Sequence, residues 1–322
     1  MRVAVDTSPL IQTRAGTARH VRGLLGALRD RPDLDLELVS FGGTGRLSSV
    51  ARDALWYPLG LSRRTRAVDV LHCTTFRGPV GARVPTVVTV HDLGILRFPQ
   101  AFPRWHRLYG RAGLARVLRA ADAIVAVSEF AKAETAELAG VPAERIRVVP
   151  NGVDSVFVAD GARAEGDYVL AVATLEPRKN LGRVVEAARL AGVELRVVGA
   201  RGWGGVEVPG WVGEIPDSEL AALYRGARCV LYPSLYEGFG LPVLEAMACG
   251  TPVVTSRGGA TEEVAGGAAI LVDPREVSSI AEGIREAALR RDGLGQLGLA
   301  RARAFTWERT ADSILELWKE LA

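Results

Sequence analysis

Methionine and cysteine are scarce in this 322-residue chain, lysine is nearly absent, and no apolar run approaches the ~20 residues a bilayer-spanning helix needs. Integral membrane insertion is therefore not expected. Cys73, Cys229 and Cys249 are odd in number, lie in or beside apolar segments and form no C-x-x-C pair. That excludes a disulfide framework and a cysteine metal site, and predicts buried thiols in a reducing, cytoplasmic compartment. The chain opens on Arg2-Val-Ala-Val-Asp6, a strand-like run without the charged-then-apolar pattern of an export signal. It also has no Walker phosphate loop, no Gly-x-Ser-x-Gly elbow and no good Gly-x-Gly-x-x-Gly after the first strand, so phosphoryl, hydrolase and hydride chemistry lose support.

What is present is the balance of a folded protein: 48% hydrophobic residues against 24% charged, at a length that favours two domains. The net charge of +3 divides unevenly, with 22 Lys+Arg against 15 Asp+Glu in residues 1–160 (+7) and 18 against 22 in the remainder (−4). A basic first half suits an anionic partner, such as a lipid surface or a pyrophosphate-linked acceptor. No helix-turn-helix, zinc-finger or RNA-binding pattern accompanies the charge, so nucleic acid is not an expected partner. Two stretches mix basic and aromatic residues: Ala51 to Arg66, with Trp56, Tyr57, Arg63, Arg64 and Arg66, and Phe98 to Arg119, with Trp105, Tyr109 and Arg116. They suit a peripheral contact at the inner face of a membrane as well as they suit a solvated helix face.

Short β-branched runs alternate with helical patterns along the whole chain. Val3 to Asp6, Leu36 to Phe41, Val68 to Cys73, Thr86 to Val90, Ala123 to Val127 and Ile146 to Val149 read as strands in the first half. Tyr168 to Ala173, Glu194 to Gly199, Cys229 to Tyr232, Pro252 to Thr255 and Ala269 to Val272 do so in the second, with helices near 181–191, 217–226, 241–249 and 276–290. Parallel strands need long crossovers, and helices supply them, so the fold class is α/β with two doubly wound parallel sheets. Asp160-Gly-Ala-Arg-Ala-Glu-Gly166 reads as the linker. The expected domains are 1–160 and 161–306, with ligand sites at the carboxyl ends of strands and a cleft between the two sheets.

Glu237-Gly-Phe-Gly-Leu-Pro-Val-Leu-Glu245 places one carboxylate ahead of a helix and another about one turn inside it. Gly238 and Gly240 let the backbone approach a ligand, Pro242 pre-sets the first helical turn, and the unpaired amides with the helix dipole attract anions. Glu245 is placed to accept from a ribose diol, and Glu237 to reach a sugar beyond the phosphates. A capping loop with two solvated acids is the alternative. Arg178 and Lys179 follow a strand and precede Asn180, a good N-cap, so two cations are offered to a diphosphate. Only Lys132, Lys179 and Lys319 are lysines among 40 basic residues, which suggests that a compact charge is wanted at 179. His91 directly follows Val87-Val-Thr-Val90; His72, also near a strand end, is a weaker competitor.

The Glu237 to Glu245 segment resembles the E-x7-E signature of the retaining glycosyltransferases of family four, which have the two-domain GT-B fold. Pro177-Arg178-Lys179-Asn180, Val90-His91-Asp92-Leu93, Val127-Ser128-Glu129-Phe130-Ala131-Lys132, Pro150-Asn151-Gly152-Val153-Asp154 and Phe305-Thr306-Trp307-Glu308-Arg309 look like the family's blocks in the family's order, and the resemblance spans nearly the whole chain. It implies a donor-binding second domain, an acceptor-binding first domain, and a last helix, 307–322, that returns to the first. It implies that His91 and Glu237 are catalytic, and that Arg178, Lys179, Glu245 and the amides of Phe239, Gly240 and Leu241 bind the donor. Arg14-Ala-Gly-Thr-Ala-Arg-His20 looks like the family's glycine loop, with Gly16 at the donor phosphates, although Ala18 stands where a second glycine is common.

The implied reaction moves a hexosyl group from a nucleotide-diphosphate sugar to a hydroxyl of a glycan or lipid-linked acceptor with retained configuration. No cofactor is implied, and no metal, since the paired-aspartate motif of metal-dependent transferases is missing. Val-His-Asp-Leu followed by Arg-Phe-Pro is most like mannosyl- and rhamnosyltransferases, which makes GDP-mannose the donor to expect. Nucleotide-sugar 2-epimerases share the fold but lack the paired-glutamate block. A catalytically idle nucleotide-sugar-binding subunit would not need both glutamates, Arg178, Lys179 and His91.

Overall fold

A computed structural model of the chain describes residues 1–12, 16–43, 45–99, 113–202 and 207–322. It divides into two compact units, Met1–Gly152 with Trp307–Ala322, and Val153–Thr306.

The first unit is built on six parallel strands: β1 (Arg2–Asp6), β2 (Asp35–Val39), β3 (Val70–Cys73), β4 (Thr86–Val90), β5 (Ala123–Ala126) and β6 (Ile146–Val148), in the order β2-β1-β3-β4-β5-β6. β3, β4 and β5 are buried along their whole lengths, as apolar runs covered on both faces should be. The chain order reverses beside β1, which makes the carboxyl ends of β1 and β3 a switch point. Helix Trp307–Leu321 packs on helix Gly16–Leu28, burying Ala311, Ile314, Leu317 and Trp318 with Leu24 and Leu28. The two helices approach so closely that a β-carbon at Gly23 would collide with the Trp307 indole.

The second unit repeats the scheme with β7 (Tyr168–Val172), β8 (Glu194–Val198), β9 (Trp211–Gly213), β10 (Val230–Tyr232), β11 (Val253–Ser256) and β12 (Ile270–Val272), ordered β12-β11-β10-β7-β8-β9. Its helices include Leu181–Ala191, Asp217–Gly226, Leu241–Ala248 and Val277–Leu289. β9, three residues long and mostly exposed at the sheet edge, carries no apolar pattern by which to read it.

Two readings of the sequence change. The segment 160–166 is not a free linker: Arg225 donates to the carbonyls of Val158 (3.1 Å) and Ala162 (2.7 Å), and Ala164 N–H donates to Ala222 O (3.0 Å). With Phe157 packed edge-on against Tyr224 at 5.7 Å, these contacts tie the segment from 157 onward to the second unit, and the division falls after Gly152. The stretch from Ala51 to Arg66 is helical as far as Arg64, and its aromatic residues point inward. Tyr57 is fully buried and donates to Asp6 Oδ2 (3.1 Å), while Trp56 stacks on Phe41 at 5.1 Å. Trp105 and Tyr109 of the other basic-aromatic stretch lie outside the described residues.

Candidate active site

Of the residues expected to bind a donor, Arg178, Lys179, Phe239, Gly240, Leu241 and Glu245 lie on the loops and the helix that follow β7 and β10, whereas Gly16 belongs to the first unit. After β7 the chain makes a tight turn at Pro177–Lys179; after β10 it runs through Pro233 to Gly240 and enters helix Leu241–Ala248. Leu235 N–H donates to Arg178 O (2.8 Å), joining the two loops. Glu237 then sits between the two cations: Lys179 Nζ is 2.6 Å from its Oε1, and Arg178 Nη1 is 3.0 Å from its Oε2. Arg178 Nη1 also donates to Tyr236 O (3.2 Å) and its Nε to Glu176 Oε2 (2.8 Å), while Lys179 Nζ donates to Tyr232 Oη (2.9 Å). The side chains of Arg178, Lys179 and Glu237 are only 16%, 10% and 9% exposed.

Burial alone would raise the Glu237 carboxyl, but Lys179 and Arg178 outweigh it and hold the pKa at about 2. Burial pulls Lys179 below the usual lysine range, with Arg178 adding to the shift and Glu237 opposing it. Burial, reinforced by Glu237, keeps the Tyr232 phenol protonated. Two acids, Glu176 and Glu237, thus balance two bases in the resting site, at a position where each ion is far more strongly coupled than on the surface.

Helix Leu241–Ala248 starts here, with Pro242 in its first turn and almost every residue buried. Among the described residues, the backbone N–H groups of Phe239, Gly240 and Leu241 make no hydrogen bond to the protein, which leaves three donors at the positive end of the helix. The Phe239 and Leu241 side chains are themselves buried, Phe239 edge-on to Phe305 at 6.0 Å, so any contact from these residues is through the backbone. Gly240 takes φ +118°, and a β-carbon there would meet Thr261 Cγ2 at 3.1 Å. Gly240→Ala is expected to lower stability by ~1–3 kcal/mol, read as a lower Tm, and to weaken nucleotide binding in the folded fraction. Glu245 is 3% exposed, and its Oε2 accepts from Tyr224 Oη (2.8 Å), which fixes the carboxylate inside the helix. Asn180 does not cap helix Leu181–Ala191 with its side chain as its residue type suggests; it has a left-handed backbone, and its amide bonds elsewhere.

A second cluster forms within the first unit. His91 Nε2 donates to Thr74 O (2.9 Å), which leaves Nδ1 as the acceptor of a neutral ring. The ring of His20, on helix Gly16–Leu28, lies edge-on to His91 at 4.7 Å, and its Nδ1 is 2.7 Å from Asn151 Oδ1. Burial lowers both histidines, His20 to about 3 and His91 to about 4. His72 is fully buried in β3, bonded to Thr89 Oγ1 (2.8 Å), and belongs to the core. Gly16 is the exposed first residue of its helix; Arg14 of the same loop lies outside the described residues. The sequence alone does not mark out Glu176, Tyr232, Tyr224, His20 or Asn151. Position is their only signal: Glu176 and Tyr232 lie at or just after strand ends, His20 and Asn151 lie inside blocks that resemble the family's, and Tyr224 lies within helix Asp217–Gly226.

Two doubly wound parallel sheets are the architecture of the GT-B fold, and the second carries paired cations, a buried carboxylate and bare helix amides at its strand ends. Residues 15–157 match the family model Glycosyltransferase Family 4, and residues 157–294 match Glycosyl transferases group 1. The chain belongs to glycosyltransferase family 4. It is 33% identical over 268 residues to the O-antigen chain mannosyltransferase B of Escherichia coli, covering 73% of this chain and 70% of that protein. It also matches the longer serotype-specific mannosyltransferase WbdA of Escherichia coli at 28% identity, with 72% of this chain spanning 33% of that one. Among solved structures it resembles sucrose-phosphate synthase from Thermosynechococcus elongatus (TM-score 0.79, 21% identity, 99% of this chain and 98% of that one). It also resembles Anabaena HepE in complex with UDP-glucose (TM-score 0.74, 18% identity, 100% of both chains).

Proposed function

We propose that this chain transfers a hexosyl group from a nucleotide-diphosphate sugar to a hydroxyl of a glycan or lipid-linked acceptor, with retained configuration and without a metal ion. The observation that carries the reading is the Arg178-Lys179-Glu237 cluster beside the bare amides of Phe239, Gly240 and Leu241. In the transfer, the bond between C1 and the phosphate oxygen breaks, the acceptor oxygen bonds C1 on the same face, and the acceptor proton passes to the leaving phosphate. Charge developing on that phosphate is taken up by Lys179, Arg178 and the amides, the kind of preorganised stabilisation that lowers barriers most. Glu237, ionised throughout the neutral range, yields its cations to the diphosphate and accepts from the sugar hydroxyls. In this reading Glu245 accepts from the ribose, the Gly16 amide serves the phosphates, and neutral His91 accepts at Nδ1 from a hydroxyl of the sugar.

Mannose is the first sugar to test, because the relative at 33% identity is named a mannosyltransferase. A panel of GDP-, UDP- and dTDP-sugars, screened by thermal shift and then by nucleotide release, is expected to single out GDP-mannose. The product anomer is expected to be α by proton NMR, and EDTA should leave the rate unchanged. Rejection of every donor, or conversion of the sugar to its 2-epimer, would refute the transferase reading.

No helix among the described residues is long and apolar enough to cross a membrane. A peripheral contact with anionic lipid is the finer proposal for localisation. Its support is the outer face of the 46–64 helical stretch, where Leu47, Leu55 and Leu59 are 88%, 60% and 52% exposed beside Arg63 and Arg64. Binding to phosphatidylglycerol vesicles but not to phosphatidylcholine vesicles is the expected result; equal binding to both removes the electrostatic part.

A further inference from the structure

Asn180 is the one non-glycine residue with a left-handed backbone among the described residues, at φ 61° and ψ 24°. It is 5% exposed and directly follows Arg178 and Lys179. Left-handed backbone is unfavourable for an L-residue and least so for Asn, whose short amide bonds locally. Here the amide reaches further. Nδ2 donates to Pro233 O (3.0 Å) on the loop after β10 and to Pro274 O (2.6 Å) on the loop after β12. Oδ1 accepts from Arg183 Nη1 (2.9 Å), and Arg183 Nε in turn donates to Arg275 O (3.0 Å). One side chain therefore ties together the loops at the carboxyl ends of three strands. One of those loops carries both cations and another carries Glu237.

We infer that Asn180 is a positioning residue for the diphosphate, setting Lys179 and Arg178 against the Glu237 loop through this three-loop clamp; the inference rests on the donor-binding reading above. The residue type is specific. Glycine would supply the backbone conformation without the donors. Aspartate would tolerate the conformation but set an oxygen against two carbonyls, a repulsion in place of two hydrogen bonds. Geometry matters at this level because a displaced charge loses most of its effect on a phosphate whose bond is breaking.

The test measures GDP and UDP affinity by calorimetry and nucleotide release from GDP-mannose for the unaltered protein, Asn180→Gly, Asn180→Asp, Lys179→Ala and the Asn180→Asp, Lys179→Ala double variant. Asn180→Gly is expected to remain folded by circular dichroism, with kcat lowered about 10- to 100-fold and nucleotide Kd raised about fivefold or more. Asn180→Asp is expected to lose more. In the Lys179→Ala background, Asn180→Asp should cost clearly less than it does alone, because one of the two cations it positions is already gone. Unchanged kcat and Kd in folded Asn180→Gly would overturn the inference, as would full additivity with Lys179→Ala, the signature of a residue that only supports the fold. Should Asn180→Gly not fold, the cycle with Asn180→Asp decides alone. Failure of the unaltered protein to bind either nucleotide sinks the donor-binding reading and this inference with it; a binding parent beside a normal Asn180→Gly sinks only this one.

Discussion

Glu237→Gln is expected to bind GDP or UDP about tenfold more tightly than the unaltered protein while turning over its nucleotide sugar roughly 10²- to 10³-fold more slowly. The opposite signs follow from the resting site. Glu237 already occupies Lys179 Nζ at 2.6 Å and Arg178 Nη1 at 3.0 Å, so a diphosphate competes with an internal anion for both cations. Removing that negative charge leaves the cations under-compensated in a buried setting, and about 1.4 kcal/mol of relieved competition is enough for a tenfold gain. The loss of turnover arises because glutamine cannot stabilise positive charge building on the sugar. Lys179→Ala is the contrast: it should weaken nucleotide binding and slow turnover together, by orders of magnitude, without unfolding the protein, because Arg178 still neutralises Glu237. Isothermal calorimetry and single-turnover rates give both quantities. If Glu237→Gln weakens nucleotide binding as Lys179→Ala does, the competition is absent; near-normal turnover in Lys179→Ala would remove the phosphate role. Glu237→Gln should also unfold more easily, since breaking a buried ion pair costs about 3–5 kcal/mol, so assays belong well below its Tm.

The first unit is expected to lose stability steeply as the solution is acidified from pH 7.5 to 5. His20 and His72, 1% and 0% exposed, are held neutral by burial, with pKa values near 3 against 6.5 in the unfolded chain. A histidine lowered in this way contributes stability that is complete above the unfolded pKa and is lost as the pH falls below 6.5 toward 3, because only the unfolded chain takes up the proton. At pH 5 the loss is about 2 kcal/mol for each of the two, ~4 kcal/mol together, a large share of a domain's net stability. His91, lowered to about 4 and less deeply buried, adds to it. Glu237 works in the same direction but only below 4.5, as the pH approaches 2. Hydrogen exchange read in β1, β3 and β4 against β7 and β10, corrected for intrinsic rates, should show protection falling selectively in the first sheet between pH 7.5 and 5. Equal loss in both sheets, or none, would contradict the assignment of these rings as neutral and buried.

The alternation of strands and crossovers was readable because a parallel strand covered on both faces is a short apolar run and its helix an amphipathic one. Val87-Val-Thr-Val90 and Tyr168 to Val172 are strands for that reason, and placing Arg178 and Glu237 after strand ends was enough to locate them at the second sheet's carboxyl edge. β9 escaped because a three-residue edge strand has no periodicity to read. The 160–166 segment misled because Gly, Ala and charged residues look like a linker whether or not Arg225 holds their carbonyls.

The sequence by itself determined the fold class, the family blocks and the residue types gathered at the candidate site, since these depend on local patterns of polarity and on glycine and proline at fixed offsets. Only the tertiary structure decided that Lys179 pairs with a carboxylate 58 positions away, that Tyr224 fixes Glu245, that Trp56 and Tyr57 turn inward, and that the Asn180 amide reaches a carbonyl 94 positions on. Those contacts join loops that meet because neighbouring strands end together at one edge of a sheet, and a chain read in order carries no local trace of which distant loop will be its neighbour.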